Sequence, residues 1–183
     1  MAKPIKITYE RDGKIQTKEV QAGAQVFSFM PEFNINGTRL VAAKVNNELC
    51  SLDTELEFDC KVEPVYNNTR EGMNVYRRSL CLLMAAAAHK ISPETRILVG
   101  NSICWGYYYS VEGPAINAED LKKEMQNLIN RDLPIKTEYL SWEQAAALFE
   151  KLNLHETRKQ LNHNSKSRVM VNTIDDFSDL YFG

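Results

Sequence analysis

The stretch AAKVNNELCSLDTELEFDCKVEPV, residues 42–65, decides how the first part of the chain folds. Asn46 and Asn47 lie between two apolar runs, and asparagine tolerates the left-handed backbone conformation that a tight turn requires. We therefore predict strands over residues 40–45 and 48–52, joined by this turn. Apolar and polar residues alternate over 60–65, which predicts another strand because strand side chains point alternately to two faces.

The residues upstream complete a small unit of mixed α and β structure. The segment PIKITYERDGKIQTKEV, residues 4–20, alternates on both sides of Asp12-Gly13, a pair that favours a type I′ hairpin turn. A short helix is expected over residues 23–30, and it must end at Pro31 because proline clashes with the preceding helical turn. Residues 1–66 are thus predicted to form a small α+β domain with a grasp-like order of elements.

Residues 3–65 resemble the TGS domain, a ubiquitin-like module at the N-terminus of threonyl-tRNA synthetases and certain GTPases. The 42–65 stretch carries most of this resemblance. It implies a β-grasp fold for residues 1–66.

A second α+β unit is predicted over residues 73–183, after a polar link at residues 66–72. Its longest helix is expected from residue 74 to Ser92-Pro93, because alanine and leucine favour helix and proline ends it. Ser141 and Gln144 have the spacing of a capping box, which predicts the start of another helix. The other predicted elements are strands at 96–99, 106–111, 135–140 and 168–172 and helices at 117–131 and 154–161.

This second unit resembles the second additional domain, which follows TGS in threonyl-tRNA synthetase and is shared with the editing domain of alanyl-tRNA synthetase. The matching stretches are RRSLCLLMAAAAHKI (77–91), GNSICWGYYYSVEG (100–113) and DLYFG (179–183). The resemblance implies an α+β domain that is truncated at its C-terminal end, because the family's last site histidine would lie beyond residue 183.

The family's editing residues do not match. That family has two histidines one helical turn apart, with a cysteine and another histidine downstream, a set that suits zinc or an ester-hydrolysing water. The corresponding positions here are Arg78, Leu82 and Tyr181. A guanidinium and an alkyl group offer zinc no lone pair, so we expect neither catalytic residues nor a metal site. His155 and His163 are eight residues apart and would need a distant third ligand.

The resemblance leaves the walls of the cleft as a candidate ligand-binding site. Its candidate residues are Arg77, Arg78, Asn101, Tyr107, Tyr109 and Tyr181. Both arginines are expected in the first turn of the long helix, where a cation opposes the helix dipole, and either an anionic ligand or an intramolecular acid would explain them. One face of the tyrosine-bearing strand is expected to be buried.

A basic segment follows near the end of the chain. Residues 151–168 contain five basic side chains against one acidic side chain. The candidates for an RNA- or phosphate-facing surface are Lys151, Arg158, Lys159, Lys166 and Arg168. A solvated helix face explains the same pattern.

Cysteine use and hydropathy limit the cellular setting. The four cysteines contain no CxxC pair and no apolar signal stretch opens the chain, so a reduced, cytoplasmic protein with packed cysteines is expected. No apolar run approaches the ~18 residues of a membrane span, and we expect no membrane partner.

The combination of these two units is similar to the N-terminal region of bacterial uridine kinase-like proteins. The stretches NVYRRSL (74–80), GYYYSVEG (106–113), DLPI (132–135) and DLYFG carry this resemblance. It implies a non-catalytic regulatory or ligand-binding region, followed in the same chain by a P-loop kinase domain that uses ATP and Mg²⁺. Residues 1–183 contain no GxxxxGK[ST] motif, so this region itself is expected to use no cofactor.

Two alternatives remain open. A stand-alone tRNA- or RNA-binding module related to threonyl-tRNA synthetase would use the basic segment and the tyrosines, with RNA or a nucleotide as ligand. A trans-editing hydrolase would need a general base or metal ligand that the sequence does not offer.

Overall fold

The computed structural model describes residues 3–11, 13–31, 33–35, 37–104, 106–163 and 168–180. The chain divides into two compact units, Met1–Arg78 and Ser79–Gly183, each described by itself. Both combine strands with helix, as the α+β prediction requires. In the described part of the chain, every helix is too short or too polar to cross a membrane.

The first unit contains one main sheet and a short two-stranded sheet of its third and seventh strands. The strands are β1 (Pro4–Arg11), β2 (Lys14–Gln21), β3 (Ala24–Gln25), β4 (Asn34–Ile35), β5 (Thr38–Val45), β6 (Glu48–Cys50), β7 (Glu55–Leu56) and β8 (Cys60–Tyr66). The sheet order is β2-β1-β8-β5-β4, with β6 paired to β5. β1 and β8 run parallel at its centre, while β2 and β5 are antiparallel to them. Ile5, Ile7 and Val62 are buried in its core.

The predicted turns and the predicted short helix have different outcomes. Asn46 and Asn47 have φ values of 48° and 70°, so the asparagine turn forms between β5 and β6 as predicted. Asp12 lies outside the described residues. Instead of a helix over 23–30 there is one 3-10 turn at Val26–Phe29, because β3 pairs with β7 and keeps the preceding residues extended.

Helix α1 (Arg70–Ile91) begins four residues earlier than the sequence predicts. Thr69 caps it: its hydroxyl accepts a hydrogen bond from the Gly72 amide at 3.0 Å. Gly72 is required there, because a Cβ at this position would overlap the Tyr66 carbonyl. Arg77 and Arg78 are therefore interior helical residues, and the expectation that they lie in the first turn was wrong.

The described residues of the second unit form two separate sheets and three further helices. Its elements are β9 (Arg96–Ile103), β10 (Gly106–Glu112), α2 (Ala118–Asn130), β11 (Lys136–Leu140), α3 (Trp142–Lys151), α4 (His155–Gln160), β12 (Val169–Ile174) and β13 (Phe177–Leu180). β9 and β10 form an antiparallel hairpin, and β11-β12-β13 form an antiparallel sheet. The capping box of Ser141 and Gln144 is present at the start of α3, as predicted. Phe149, Leu161 and Val171 lie in the core.

Candidate functional site

The β9–β10 hairpin presents an exposed apolar face in the second unit. Tyr107, Tyr109 and Val111 alternate along β10 and share this face. Val99 and Ile97 lie opposite Tyr109 and Val111 in register, so both belong to the same face. Val99, Tyr109 and Val111 are 46%, 49% and 48% exposed. This face can therefore contact a ligand without unfolding.

The other face of the hairpin is also open. Tyr108 and Ile103 are 61% and 58% exposed. The expectation that one face of this strand is buried was wrong, because the hairpin forms a two-stranded sheet of its own and does not join β11-β12-β13. Cys104, expected to be a packing residue, is exposed in the hairpin turn with φ 50°.

The predicted site residue Asn101 lies at an irregularity in the pairing of β9 with β10. Tyr107 pairs with Ser102 and Tyr109 pairs with Val99, so β9 has one residue more than β10 between these pairs. Gly100 and Asn101 fill that irregularity, and both are exposed. Such irregularities bend a strand and redirect its side chains. Asn101, Tyr107 and Tyr109 are thus brought together on neighbouring strands.

Contacts at its base fix the hairpin to the second unit. The buried Thr95 hydroxyl donates to the Pro114 carbonyl at 2.7 Å, which joins the two ends of the hairpin. The Arg96 guanidinium donates to the carbonyl of Asn153, between α3 and α4. The open strands therefore project from a fixed base.

A row of polar side chains crosses the β11-β12-β13 sheet. Thr137, Asn172 and Asp179 lie opposite one another in register, and the Thr137 hydroxyl donates to Asn172 Oδ1 at 2.8 Å. Asp179 Oδ1 accepts hydrogen bonds from the Leu180 amide at 2.8 Å and from the Thr157 hydroxyl of α4 at 3.3 Å. Burial raises the pKa of Asp179. We call Thr137, Thr157, Asn172 and Asp179 the polar row.

Sequence reasoning missed the polar row. Its one available signal is that Asp179 places a carboxyl group in β13, within the DLYFG stretch that carries the family resemblance. Thr137, Thr157 and Asn172 give no such signal, because threonine and asparagine are common on solvated surfaces. Tyr181, the residue predicted from that stretch, lies outside the described residues.

The helix positions that correspond to the family's histidines fall in different units. Arg78 is exposed and belongs to the first unit. Leu82 is partly buried and packs against the core of the second unit. Arg77 is half-buried. The helix dipole acts mainly within the first helical turn, and both arginines lie beyond that turn of α1. The dipole therefore gives no reason to expect an anionic ligand at these arginines.

Nearby acids pair with two side chains of the basic segment. Arg158 Nε lies 3.2 Å from Glu150 Oε2, and Lys159 Nζ lies 2.7 Å from Glu156 Oε1. The latter pair lowers the pKa of Glu156. Within the described part of the chain, Lys151 and Arg168 are exposed and form no ion pair. Lys166 lies outside the described residues.

The described residues contain no group of three or more His, Cys, Asp or Glu side chains arranged to hold a metal ion.

Comparison with known proteins relates most of this chain to tRNA ligases. It is 34% identical over 152 residues to the threonine–tRNA ligase of Desulforamulus reducens, which covers 80% of this chain and 24% of that protein. It is 32% identical over 180 residues to the threonine–tRNA ligase of Desulfovibrio desulfuricans, which covers 92% of this chain and 28% of that protein. No family model matches the chain. The chain spans about a quarter of the length of these curated relatives.

These relatives support a threonyl-tRNA synthetase-like region over most of the chain. They favour the tRNA-related alternative over the kinase interpretation. None of these relatives carries the name of a kinase, so the comparison does not support the link to uridine kinase-like proteins.

Proposed function

We propose that this chain is a tRNA-binding region that holds an RNA single strand without hydrolysing an aminoacyl ester. The observation that carries the proposal is the exposed tyrosine face of the β9–β10 hairpin, in a chain similar to threonine–tRNA ligases. Unpaired bases stack on aromatic side chains, and tyrosine offers such a surface. About half of the Tyr109 surface is open to solvent, which leaves its ring accessible to a base.

The proposed fold of each unit follows the same resemblance. The first unit would be a TGS-type β-grasp domain, supported by its central parallel pair β1–β8 with antiparallel neighbours. The second would be a domain like the second additional domain of the synthetases. Its hairpin and its three-stranded sheet would form the ligand-contacting part.

The second unit offers three kinds of contact to a nucleic acid. The hairpin face would stack bases, while exposed Lys151 and Arg168 would attract phosphates. The polar row offers hydroxyl, amide and carboxyl groups that can bond the 2′-hydroxyl of RNA. Arg96 joins the hairpin to the α3–α4 turn, and Thr157 of α4 contacts Asp179, so a chain of contacts connects hairpin and polar row.

Loss of hydrolysis follows from the side chains at the family's histidine positions. Arg78 carries a guanidinium group, which offers no lone pair to a proton or to zinc, so it cannot act as a general base or a zinc ligand. Leu82 is alkyl and packs on a core. The role that we propose is therefore binding without ester cleavage.

The test measures tRNA binding by the full chain with fluorescence anisotropy across a salt series. We expect affinity to fall steeply with salt, because phosphate contacts release counterions. Tyr109→Ala should weaken binding about 10-fold, within the ~1–3 kcal/mol of base–aromatic stacking. Tyr108→Ala is the matched control, since Tyr108 points to the opposite face of the same strand. Equal effects of both substitutions, or no binding at low salt, would overturn the proposal.

A second measurement tests the absence of hydrolysis. Seryl-tRNA is incubated with the full chain, with and without added zinc, and release of serine is followed. We expect the spontaneous rate in both cases. Release that is faster than this rate and lost in a Tyr109→Ala variant would assign the chain a hydrolytic function instead.

A further inference from the structure

Asp175 joins three separate elements of the second unit. It lies in the turn between β12 and β13, with φ 55°. Arg131 donates to it from Nη1 and Nη2, with distances of 2.5 Å to Oδ2 and 2.9 Å to Oδ1. Lys90 Nζ lies 3.0 Å from Oδ2 of the same carboxylate. One turn is thereby connected to the ends of α1 and α2.

The geometry of the Asp175 ion pairs favours their stability in solution. Lys90 lies in the last turn of α1 and Arg131 caps the end of α2, where cations complement the helix dipole. The Arg131 pair is bidentate, which fixes orientation as well as distance. The side chain of Asp175 is only 24% exposed, so solvent screens these contacts less than those of a fully exposed pair.

The turn that contains Asp175 leads directly into the short strand β13. In the part of the chain that the structure describes, β13 has four residues and pairs with β12. Phe177, two residues after Asp175, is buried and packs against His89 of α1, with ring centroids 5.3 Å apart. Asp179 follows two residues later and must meet Thr157 of α4. A displaced turn would therefore displace Asp179, the member of the polar row that lies on β13.

We propose that Asp175 is a positioning residue for RNA binding, which holds β13 so that the polar row meets the ligand. This inference rests on the proposed function, because it assigns Asp175 an effect on tRNA affinity through Asp179. Asp175 touches no ligand in this proposal. Its carboxylate acts only through the turn that precedes β13.

The test uses the full chain with Asp175→Asn and the matched control Asp176→Asn. Asparagine accepts the left-handed conformation of this turn, so the first substitution removes charge without changing the backbone preference. Asp176 is the neighbouring carboxylate of the same turn, and among the described residues it has no ion pair. The dissociation constant for transcribed tRNA and the hydrogen exchange of the Phe177–Leu180 amides are measured for each variant.

We expect Asp175→Asn to raise the dissociation constant about fivefold and to accelerate exchange in β13, as a coupled network would. Asp176→Asn should stay within about twofold of the unmodified chain. Arg131→Gln should act in the same direction with a smaller effect, because Lys90 still binds Asp175. The double variant should be no weaker than Asp175→Asn alone, since that substitution already breaks the Arg131 contact.

The outcomes separate this inference from the function it rests on. If the unmodified chain binds tRNA and Asp175→Asn binds equally well, the positioning role is overturned and the proposed function stands. A lower thermal stability with unchanged affinity overturns the positioning role in the same way, because a purely structural contact behaves like that. If the unmodified chain shows no binding, the proposed function and this inference both fall.

Discussion

The two sheets of the second unit contain similar valine residues that differ in their exposure to solvent. In the three-stranded sheet Val169 and Val171 are fully buried, whereas Val99 and Val111 of the hairpin are about half exposed, at 46% and 48%. The sheet is covered by the core that contains Phe149, and ion pairs hold its β12–β13 turn. Among the described residues, the contacts that fix the hairpin lie at its base. One sheet therefore supplies stability, while the other leaves apolar surface available to a ligand.

The largest expected effect comes from truncating one aromatic side chain in the core under the three-stranded sheet and one in the hairpin. Phe149→Ala should lower the free energy of unfolding by ~3–5 kcal/mol, because it removes buried contacts and leaves a cavity. Tyr108→Ala, at an exposed position of the hairpin, should change it by no more than ~0.5 kcal/mol. Urea unfolding followed by tryptophan fluorescence measures both, since both tryptophans belong to the second unit. A loss of equal size would show that the hairpin is part of the core.

A smaller effect is expected at the base of the hairpin. Gly113 has φ +88°, and a Cβ there would overlap the Glu94 carbonyl. Gly113→Ala should therefore destabilise the second unit by ~1–3 kcal/mol, which the same urea experiment measures. Gly106→Ala is the matched control, because its nearest neighbour would be the Ile103 carbonyl at an ordinary 3.9 Å. Unchanged stability of Gly113→Ala would mean that the base is free to shift.

The smallest expected effect is on stability at acid pH, and it tests the ion pairs of the β12–β13 turn. Hydrogen bonds from Arg131 and Lys90 lower the pKa of Asp175 from 3.8 to about 2. A lowered folded-state pKa stabilises the fold above the unfolded-state value and loses that contribution as pH falls. Between pH 4 and pH 2, stability should fall more steeply for the unmodified chain than for Asp175→Asn.

Comparing the two proteins controls for the other carboxyl groups that titrate in this pH range. Asp179 has a raised pKa, so its contribution changes in the opposite direction, but it is present in both proteins and cancels in their difference. Parallel pH profiles of the two proteins in urea unfolding would show that the Asp175 contacts do not persist in solution.

Local sequence signals explain which parts of the fold could be predicted. The asparagine turn at 46–47 and the capping box at Ser141 were predicted because each depends on residues within a few positions of one another. The start of α1 was predicted too late, because its cap comes from Thr69 in a segment that reads as a polar link. The short helix at 23–30 was predicted too long, because pairing with distant β7 keeps its first residues extended.

The candidate site shows the same limit. Asn101, Tyr107 and Tyr109 were identified from one continuous stretch, and the structure brings them together on one hairpin. The polar row joins residues from β11, α4, β12 and β13, so no local pattern indicates it. The basic segment could be counted from sequence, but the pairing of Arg158 with Glu150 depends on the turn between α3 and α4.

The sequence by itself determined the α+β class, most strands and helices, and the absence of histidine at the two helix positions. These depend on residue type and short-range spacing, which can be read directly along the chain. Only the tertiary structure decided that the tyrosine hairpin is exposed while a similar valine-rich strand is buried. Burial depends on which distant segments cover a strand, and strand residues of the same hydrophobicity serve both outcomes.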